Sequence, residues 1–423
     1  MKNTLGIKFL ISNETNLSTH TMVKKKPSVL FWVHTFPRFS ETFIRDQVCQ
    51  VIDQECNVFI YGKSFVTNQE DALKGFEKYQ LDKRFVSKHD VRASKSGSNK
   101  YKNYLEKLFF LRKNKRFSLA KYLKFILKKR SLEVQFLCIA YFCVKNDISV
   151  IHAHFGPNGE LAVQLKELGL QIKVVTTFHG YDVRLGLETP EIYKDLIHLG
   201  DAIISISTYN KKILLDIGFK PEVIVDLPNG IHTDFYTPTT NTVADSDTIP
   251  IITVGRLVEE KSIHIAIKAL KIVSDSAPQY NFKYKIVGEG ELRPSIESLI
   301  AETHLEDKIQ LLGAKNSLEV RNLLQEAAIF ILSSSREAFP TVLMEAQASG
   351  LVIIATDVGS VSSIAVNGTI IPPNDEEAMA NAIITTLENK ENWNQIGLKN
   401  RNYIVSNYDS HTLTQQLIAI YNE

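Results

Sequence analysis

The sequence predicts an α/β protein made of two parallel-sheet domains that face a cleft. Three observations carry this. At 423 residues the chain exceeds what one ordinary hydrophobic core accommodates. Short apolar strands alternate with amphipathic helical stretches along nearly its whole length, as in parallel α/β layers. Between the halves, residues 236–250 ("YTPTTNTVADSDTIP") are polar, rich in Thr and Asp, and bracketed by prolines, which is linker composition.

The elements follow in order. Residues 1–26 read as a disordered tail, and Met22 offers a second start just before the first convincing strand. A first Rossmann-like domain is expected over 27–236, with strands at 28–35, 57–62, 150–155, 173–180, 201–207 and 223–230. A linker over 237–248 leads to a second such domain over 249–405, with strands at 249–255, 284–288, 309–313, 328–334 and 351–356. Residues 406–423 read as a last helix that packs back on the first domain.

Composition sets limits on function. Hydrophobic residues at 44% and charged residues at 23% are those of a soluble globular protein, and a net charge of +2 gives no general affinity for polyanions. Cys49, Cys56, Cys138 and Cys143 form no Cys-x-x-Cys pair, so they read as reduced thiols of a cytosolic protein. No apolar run approaches the ~18–20 residues of a membrane span. The short "LGIKFLIS" near the start lacks a small-residue cleavage site and is not read as a secretory signal.

Residues 100–130 break the pattern, holding about a dozen Lys and Arg against the single acid Glu106, interleaved with Leu, Phe, Tyr and Ile. Basic amphipathic helices of this kind lie on anionic membranes. A solvated basic face covering the first domain is the alternative, and both stay open. Nucleic-acid binding is set aside because no nucleic-acid motif accompanies the patch.

In α/β folds ligands gather at the carboxyl ends of parallel strands. After one strand comes "GRLVEEK", where Gly255 precedes Arg256 and Lys261, a forked and a compact cation fit to neutralise a diphosphate. "SREAFPTVLMEAQASG" (335–350) places Glu337 and Glu345 eight positions apart around Phe339-Pro340. Pro340 near the first position and Gly350 at the end bound a helix. Its N-terminus offers the N–H groups of Thr341, Val342 and Leu343 to an anion. Glu345, over a turn into that helix, is placed either to accept both hydroxyls of a ribose or simply to face solvent. "VGEGEL" (287–292) lacks the third glycine of a dinucleotide fingerprint and reads as a tight turn.

In the first half, His152, His154, His179 and Asp182 fall at strand ends. Their spacing is poor for zinc. Strand alternation puts His152 and His154 on one face, at least one of them as a hydrogen-bonded core residue. His179, followed by Gly180, is the better cleft-facing group. After the first strand, Ser40 and Thr42 are candidate caps of the next helix, with Glu41 beside the cleft. Asp245 and Asp247 read as solvated spacer and not as a metal site.

Together, "HAHFG", "HGYD", "PNGIHTDFY", "VGRLVEEK", "VGEGELR", "LLG" and "EAFPTVLMEAQASG" run in the order found in the retaining glycosyltransferases of family 4, which the chain resembles over roughly residues 150–375. "FPRFSETFI" resembles the subgroup that builds exopolysaccharides such as colanic acid. The resemblance implies the GT-B fold, two Rossmann-like domains closing over a nucleotide sugar (UDP-, GDP- or ADP-linked), with no metal and no other cofactor. It implies that Glu337 addresses the donor sugar, Glu345 holds the ribose, Arg256 and Lys261 stabilise the departing diphosphate, and His179 lies near sugar and acceptor. Gly255, Gly313, Phe339, Pro340, Thr341, Val342 and Leu343 complete the donor side; Ser40, Glu41, Thr42, His154 and Asp182 form the acceptor side.

The implied activity is sugar transfer to a lipid-linked oligosaccharide, by a cytoplasmic protein peripheral to the membrane. Motif order favours it over a nucleotide-sugar epimerase of the same fold. An inactive nucleotide-sugar-binding subunit draws support only from Ser363, which stands where the family carries Glu.

Overall fold

A computed structural model describes residues 26–38, 41–66, 76–92, 99–129, 134–239 and 247–423. The expected tail up to residue 25, Ser40, Asp245 and most of the expected linker lie outside these residues.

Fifteen strands are present among them: β1 (Ser28–Trp32), β2 (Thr35–Phe36), β3 (Asn57–Gly62), β4 (Ser64–Phe65), β5 (Phe85–Ser87), β6 (Val150–His154), β7 (Lys173–Phe178), β8 (Ala202–Ser205), β9 (Ile224–Asp226), β10 (Thr248–Val254), β11 (Asn281–Val287), β12 (Ile309–Gly313), β13 (Ile329–Leu332), β14 (Val352–Thr356) and β15 (Thr369–Ile371). They form a seven-stranded sheet in the order β5-β3-β1-β6-β7-β8-β9, a six-stranded sheet in the order β12-β11-β10-β13-β14-β15, and a small β2-β4 pair. All pairings are parallel.

β1, β6, β13 and β14 are buried along their full length. A parallel strand covered by helices on both faces is apolar on both, which is why β13 and β14 read as nearly continuous hydrophobic runs, while β6 buries His152 and His154 among its apolar residues. The expected strand at 28–35 is shorter than anticipated. It ends at Trp32, and Thr35–Phe36 instead pairs with Ser64–Phe65.

Each sheet has a core on either face. The first domain is held by one cluster around Leu30, Ile151 and Phe178 and another around Phe31, Val175 and Ile204. The second cluster includes Leu413, Leu417, Ile420 and Tyr421, so the last helix, Ser410–Asn422, packs on the first domain. The preceding helix, Trp393–Tyr408, belongs to the second domain, where Asn400 Nδ2 donates to Leu351 O at 2.8 Å. The crossover is tied at one place. Ile231 N donates to Tyr408 O, Ser410 N donates to Ile231 O, and Thr233 Oγ1 donates to Asp409 Oδ2 at 2.8 Å.

In both sheets the strand order reverses beside the first strand, between β1 and β6 and between β10 and β13. Loops diverge at such a point and leave a crevice at the strands' carboxyl ends. No helix among the described residues is long and apolar enough to cross a membrane.

Candidate active site

A cavity of about 710 Å³ opens between the domains, lined by residues of both. That volume suits a ligand of a few rings. Its second-domain wall contains Gly255, Arg256 and Lys261 after β10, and Glu337 and Phe339 to Val342 after β13. The two loops flank the reversal point of the second sheet, which is what brings them together.

Lys261 Nζ and Glu337 Oε1 form an ion pair at 2.5 Å, and Ser334 Oγ donates to the same oxygen at 2.7 Å. Arg256 is exposed, and its side chain has no hydrogen bond or ion pair among the described residues. Of these two cations, Lys261 is already matched to a carboxylate and Arg256 is open to an incoming anion. Gly359 supports this loop. Its φ is +59°, and a Cβ there would fall 1.8 Å from Glu337 O. Ser360 Oγ donates to Ala338 O at 2.6 Å, fixing the next residue.

The helix Thr341–Ala348 begins at the cavity with Pro340 as its N-cap and Gly350 following its C-cap. Thr341 and Val342 line the cavity. Leu343 does not behave as expected: its N–H donates to Pro340 O at 3.1 Å and its side chain is fully buried, so it offers nothing to a ligand. For Glu345 the two readings left open are separated, since it lines the cavity. Burial raises its carboxyl to about 7, Asp46 of the first domain adds to this, and hydrogen bonding from Tyr236 and the charge of Arg45 oppose it. Gly313 ends β12 with φ +72°, and the chain after it, Ala314 to Ser317, forms a further part of the wall. Ser363 is exposed, away from the cavity, and its Oγ donates to Ser360 O.

On the first-domain side, Arg38, Thr42, Phe43, Arg45 and His179 line the cavity. Thr42 opens the helix Thr42–Asp53 and does not cap it; the N-cap is Glu41, which makes no capping bond. Glu41 instead accepts from Arg38 at 3.0 Å. Burial raises the Glu41 carboxyl, with Arg38 opposing.

Asp182 and His154 do not reach the cavity. Asp182 is fully buried, accepting from Gly156 N at 3.0 Å, His179 N at 2.9 Å and Gly180 N at 2.8 Å, so it fixes the loops around His179. His154 lies buried behind His179, with His154 Nδ1 and His179 Nε2 3.0 Å apart. His152 is deeper still, between Tyr421 Oη at 2.5 Å and Thr177 Oγ1 at 2.8 Å.

Comparison with known proteins decides what this cavity belongs to. The family described as "Glycosyl transferases group 1" matches residues 240–403, and that described as "Glycosyltransferase Family 4" matches residues 92–235. A protein of Escherichia coli K12 named "Putative colanic acid biosynthesis glycosyltransferase WcaL" is 30% identical over 372 residues, covering 83% of this chain and 88% of its own. The chain belongs to the group 1 glycosyltransferases.

Another relative of this glycosyltransferase is the amylovoran biosynthesis glycosyltransferase AmsK of Erwinia amylovora, 29% identical over 63% of this chain and 68% of its own. The fold matches HepE of Anabaena, solved in complex with UDP, with a TM-score of 0.72 at 14% identity over 93% of this chain and 99% of that one. TarM matches with a TM-score of 0.69 at 14% identity, over 95% and 99% of the two chains. These likenesses show the GT-B fold.

Several groups of the glycosyltransferase site went unread in the sequence. Tyr236, whose hydroxyl donates to Glu345, stands in "PNGIHTDFY", yet nothing local says that its partner lies more than a hundred residues on. Ser334 is hidden in a strand-like run. Arg38 and Arg45 flank a helix start without a phosphate-binding pattern. Only the folded arrangement of the loops around the cavity reveals them.

Proposed function

We propose that this glycosyltransferase moves a sugar, with retention and without a metal, from a nucleoside-diphosphate sugar to a lipid-linked oligosaccharide during cell-surface or exopolysaccharide synthesis. A hexose is the transferred group. The observation that carries the proposal is the open guanidinium of Arg256 facing the same cavity as the Lys261–Glu337 pair and Glu345. Breaking a bond to a diphosphate demands charge stabilisation on the leaving oxygens. Arg256, Lys261 and the N–H groups of Thr341 and Val342 supply it. Glu345 accepts the ribose hydroxyls, Glu337 orients Lys261 and the donor sugar, and His179 lies between sugar and acceptor. As the acceptor oxygen bonds to the anomeric carbon, the bond to the diphosphate breaks and the hydroxyl proton passes to a departing phosphate oxygen.

UDP is the nucleotide favoured by likeness to HepE, which has been solved with UDP-glucose. Names of relatives in colanic acid and amylovoran synthesis support an exopolysaccharide role. A place on the inner face of the cytoplasmic membrane is supported by the helices Asn99–Arg112 and Leu119–Lys129. They expose Leu105, Phe109, Leu123 and Leu127 beside Lys113, Lys121, Lys124 and Lys128, and Leu127 is 78% exposed. Apolar side chains exposed among lysines suit the interface of an anionic bilayer.

The test is a thermal-shift panel of UDP-, GDP- and ADP-sugars on wild type and Arg256→Ala. A ligand bound to the folded state raises the melting temperature by mass action. A shift with one nucleotide class that vanishes in the variant names the donor. No shift with any class overturns the proposal.

A further inference from the structure

Two aromatic rings of the first domain continue outward from the cavity wall. The Tyr181 ring lies on that of Phe155, with centroids 5.2 Å apart and planes at 37°, and Phe155 in turn lies against His179 at 4.7 Å. Of the three, only His179 lines the cavity. Tyr181 is 52% exposed, and its hydroxyl has no hydrogen bond among the described residues. It also stands at the lip where the domains meet. A Cβ on its neighbour Gly180 would fall 2.6 Å from Ala338 Cβ, one residue beyond Glu337.

The rings are placed against local preference. Phe155 has φ +72° and ψ 137°, a region that favours glycine, and it is the N-cap of the helix Gly156–Glu167, where a side-chain acceptor is preferred. A phenylalanine serves neither purpose. Its backbone is held nonetheless, the N–H donating to Thr177 O at 2.9 Å and the carbonyl accepting from Asn158 N at 3.0 Å. The buried Asp182 carboxylate locks this loop to the next, accepting from Gly156 N on one side and from His179 N and Gly180 N on the other. Strain that the surroundings over-determine points to a function. Packing of Phe155 on the core explains its own burial but not the exposed ring it supports.

We infer that Tyr181 is a stacking platform for a pyranose ring of the acceptor, one that lies outside the cavity where transfer occurs, with Phe155 as the positioning residue beneath it. A pyranose carries C–H groups on a face and hydroxyls round its edge. An exposed tyrosine offers the matching surface, an apolar face with a polar tip. Burial raises the Tyr181 hydroxyl above the ordinary phenol range, Asp182 and Glu41 add to this and Arg38 opposes it, so the Arg38–Glu41 pair stands near that hydroxyl. The pair supplies a charged donor and a charged acceptor for sugar hydroxyls. An acyl chain would match the ring face but desolvate these polar groups without replacing their bonds. The inference rests on the transferase reading, which supplies the acceptor.

The experiment is binding of the full chain to an array of lipid-tagged hexopyranose mono-, di- and trisaccharides, beside thermal shifts with UDP-, GDP- and ADP-sugars. Wild type is expected to bind at least one glycan of two or more rings. Tyr181→Ala weakens that binding about tenfold, the scale of one lost aromatic contact, and Tyr181→Trp keeps it. Phe155→Gly, which suits the backbone at φ +72° but lacks the ring, loses it while still melting cooperatively. Both Tyr181 variants keep the wild-type shift with nucleotide sugar. Equal binding by wild type and Tyr181→Ala overturns the inference, as does binding to the lipid tag alone or to no glycan at all. None of these touches the transferase proposal while the nucleotide-sugar shift persists. Absence of that shift is the failure of the transferase proposal, and a glycan held through Tyr181 would survive it.

Discussion

Lys261 and Glu337 meet at 2.5 Å across the reversal point of the second sheet, one from the loop after β10 and the other from the loop after β13. Their side chains are 18% and 10% exposed, so each charge depends on the other. Removing one partner of a shielded pair is costly because the survivor stays desolvated. Lys261→Met is expected to lower the melting temperature and to reduce kcat by ~10²–10³-fold, the usual loss when one charge-stabilising group leaves a site. Steady-state kinetics and a melting curve check both halves. Unchanged turnover would separate the pair from the chemistry.

Arg256 behaves in the opposite way. Its side chain is exposed and supports no other group, so Arg256→Ala should stay within about 0.5 kcal/mol of wild-type stability. Donor affinity should fall roughly tenfold or more, as expected for losing a charge-assisted bond to phosphate. Denaturant titration and calorimetric binding give the two numbers independently.

Glu345 makes donor binding sensitive to pH. Its carboxyl titrates near 7 in the folded protein against 4.5 for an ordinary glutamate. The folded state thus holds an extra proton between these values. The associated stability is fully present below about pH 4.5 and is lost as pH rises through 7. Ribose hydroxyls need the carboxylate, so binding must expel that proton. Affinity for the cognate nucleotide sugar should rise about tenfold from pH 6 to 8. The diphosphate diester has no titration in this window, so the effect belongs to the protein. Calorimetry across that range should show the slope, and Glu345→Gln should flatten it.

Gly359→Ala tests how the loop carrying Glu337 is held. The added methyl group collides with Glu337 O at a position whose φ of +59° already disfavours a side chain. The loop must shift, and a displacement of about 1 Å in a catalytic group costs roughly a hundredfold in rate. Kinetics on the folded variant provide the check. Normal kcat would mean that the loop tolerates displacement.

How much of this was legible beforehand varies by element. Strands such as β12 and β3 could be read to the residue because each is a short, mostly apolar run that ends on a glycine. β5 and β15 escaped because each is three residues at a sheet edge, too short to show a period. Arg256, Lys261, Glu337 and Glu345 were visible as polar residues after apolar strands. The contact of Tyr236 with Glu345 joins a loop to a helix more than a hundred residues on, and the His154–His179 contact depends on the register of β6 against β7, which no local window contains. The loss of the Leu343 N–H to Pro340 is a matter of how the first helical turn closes.

The exposed leucines of the basic helices predict a surface preference. Flotation with vesicles of phosphatidylcholine alone and with added phosphatidylglycerol should recover the protein mainly with the anionic set. Replacing Lys113, Lys121, Lys124 and Lys128 with Gln should abolish the difference. Equal recovery with both vesicle types would leave the patch without a membrane role.

The last helix rests on the first domain although the helix before it belongs to the second, so the chain passes between the domains twice. The two passages lie side by side, bonded through Ile231 with Tyr408 and Ser410 and through Thr233 with Asp409. A joint made of two parallel straps bends readily about one line and resists twisting about any other. A movement that opened the cleft would have to bend both straps together, which restricts it to one arc and keeps Arg256 and Glu337 in line with His179.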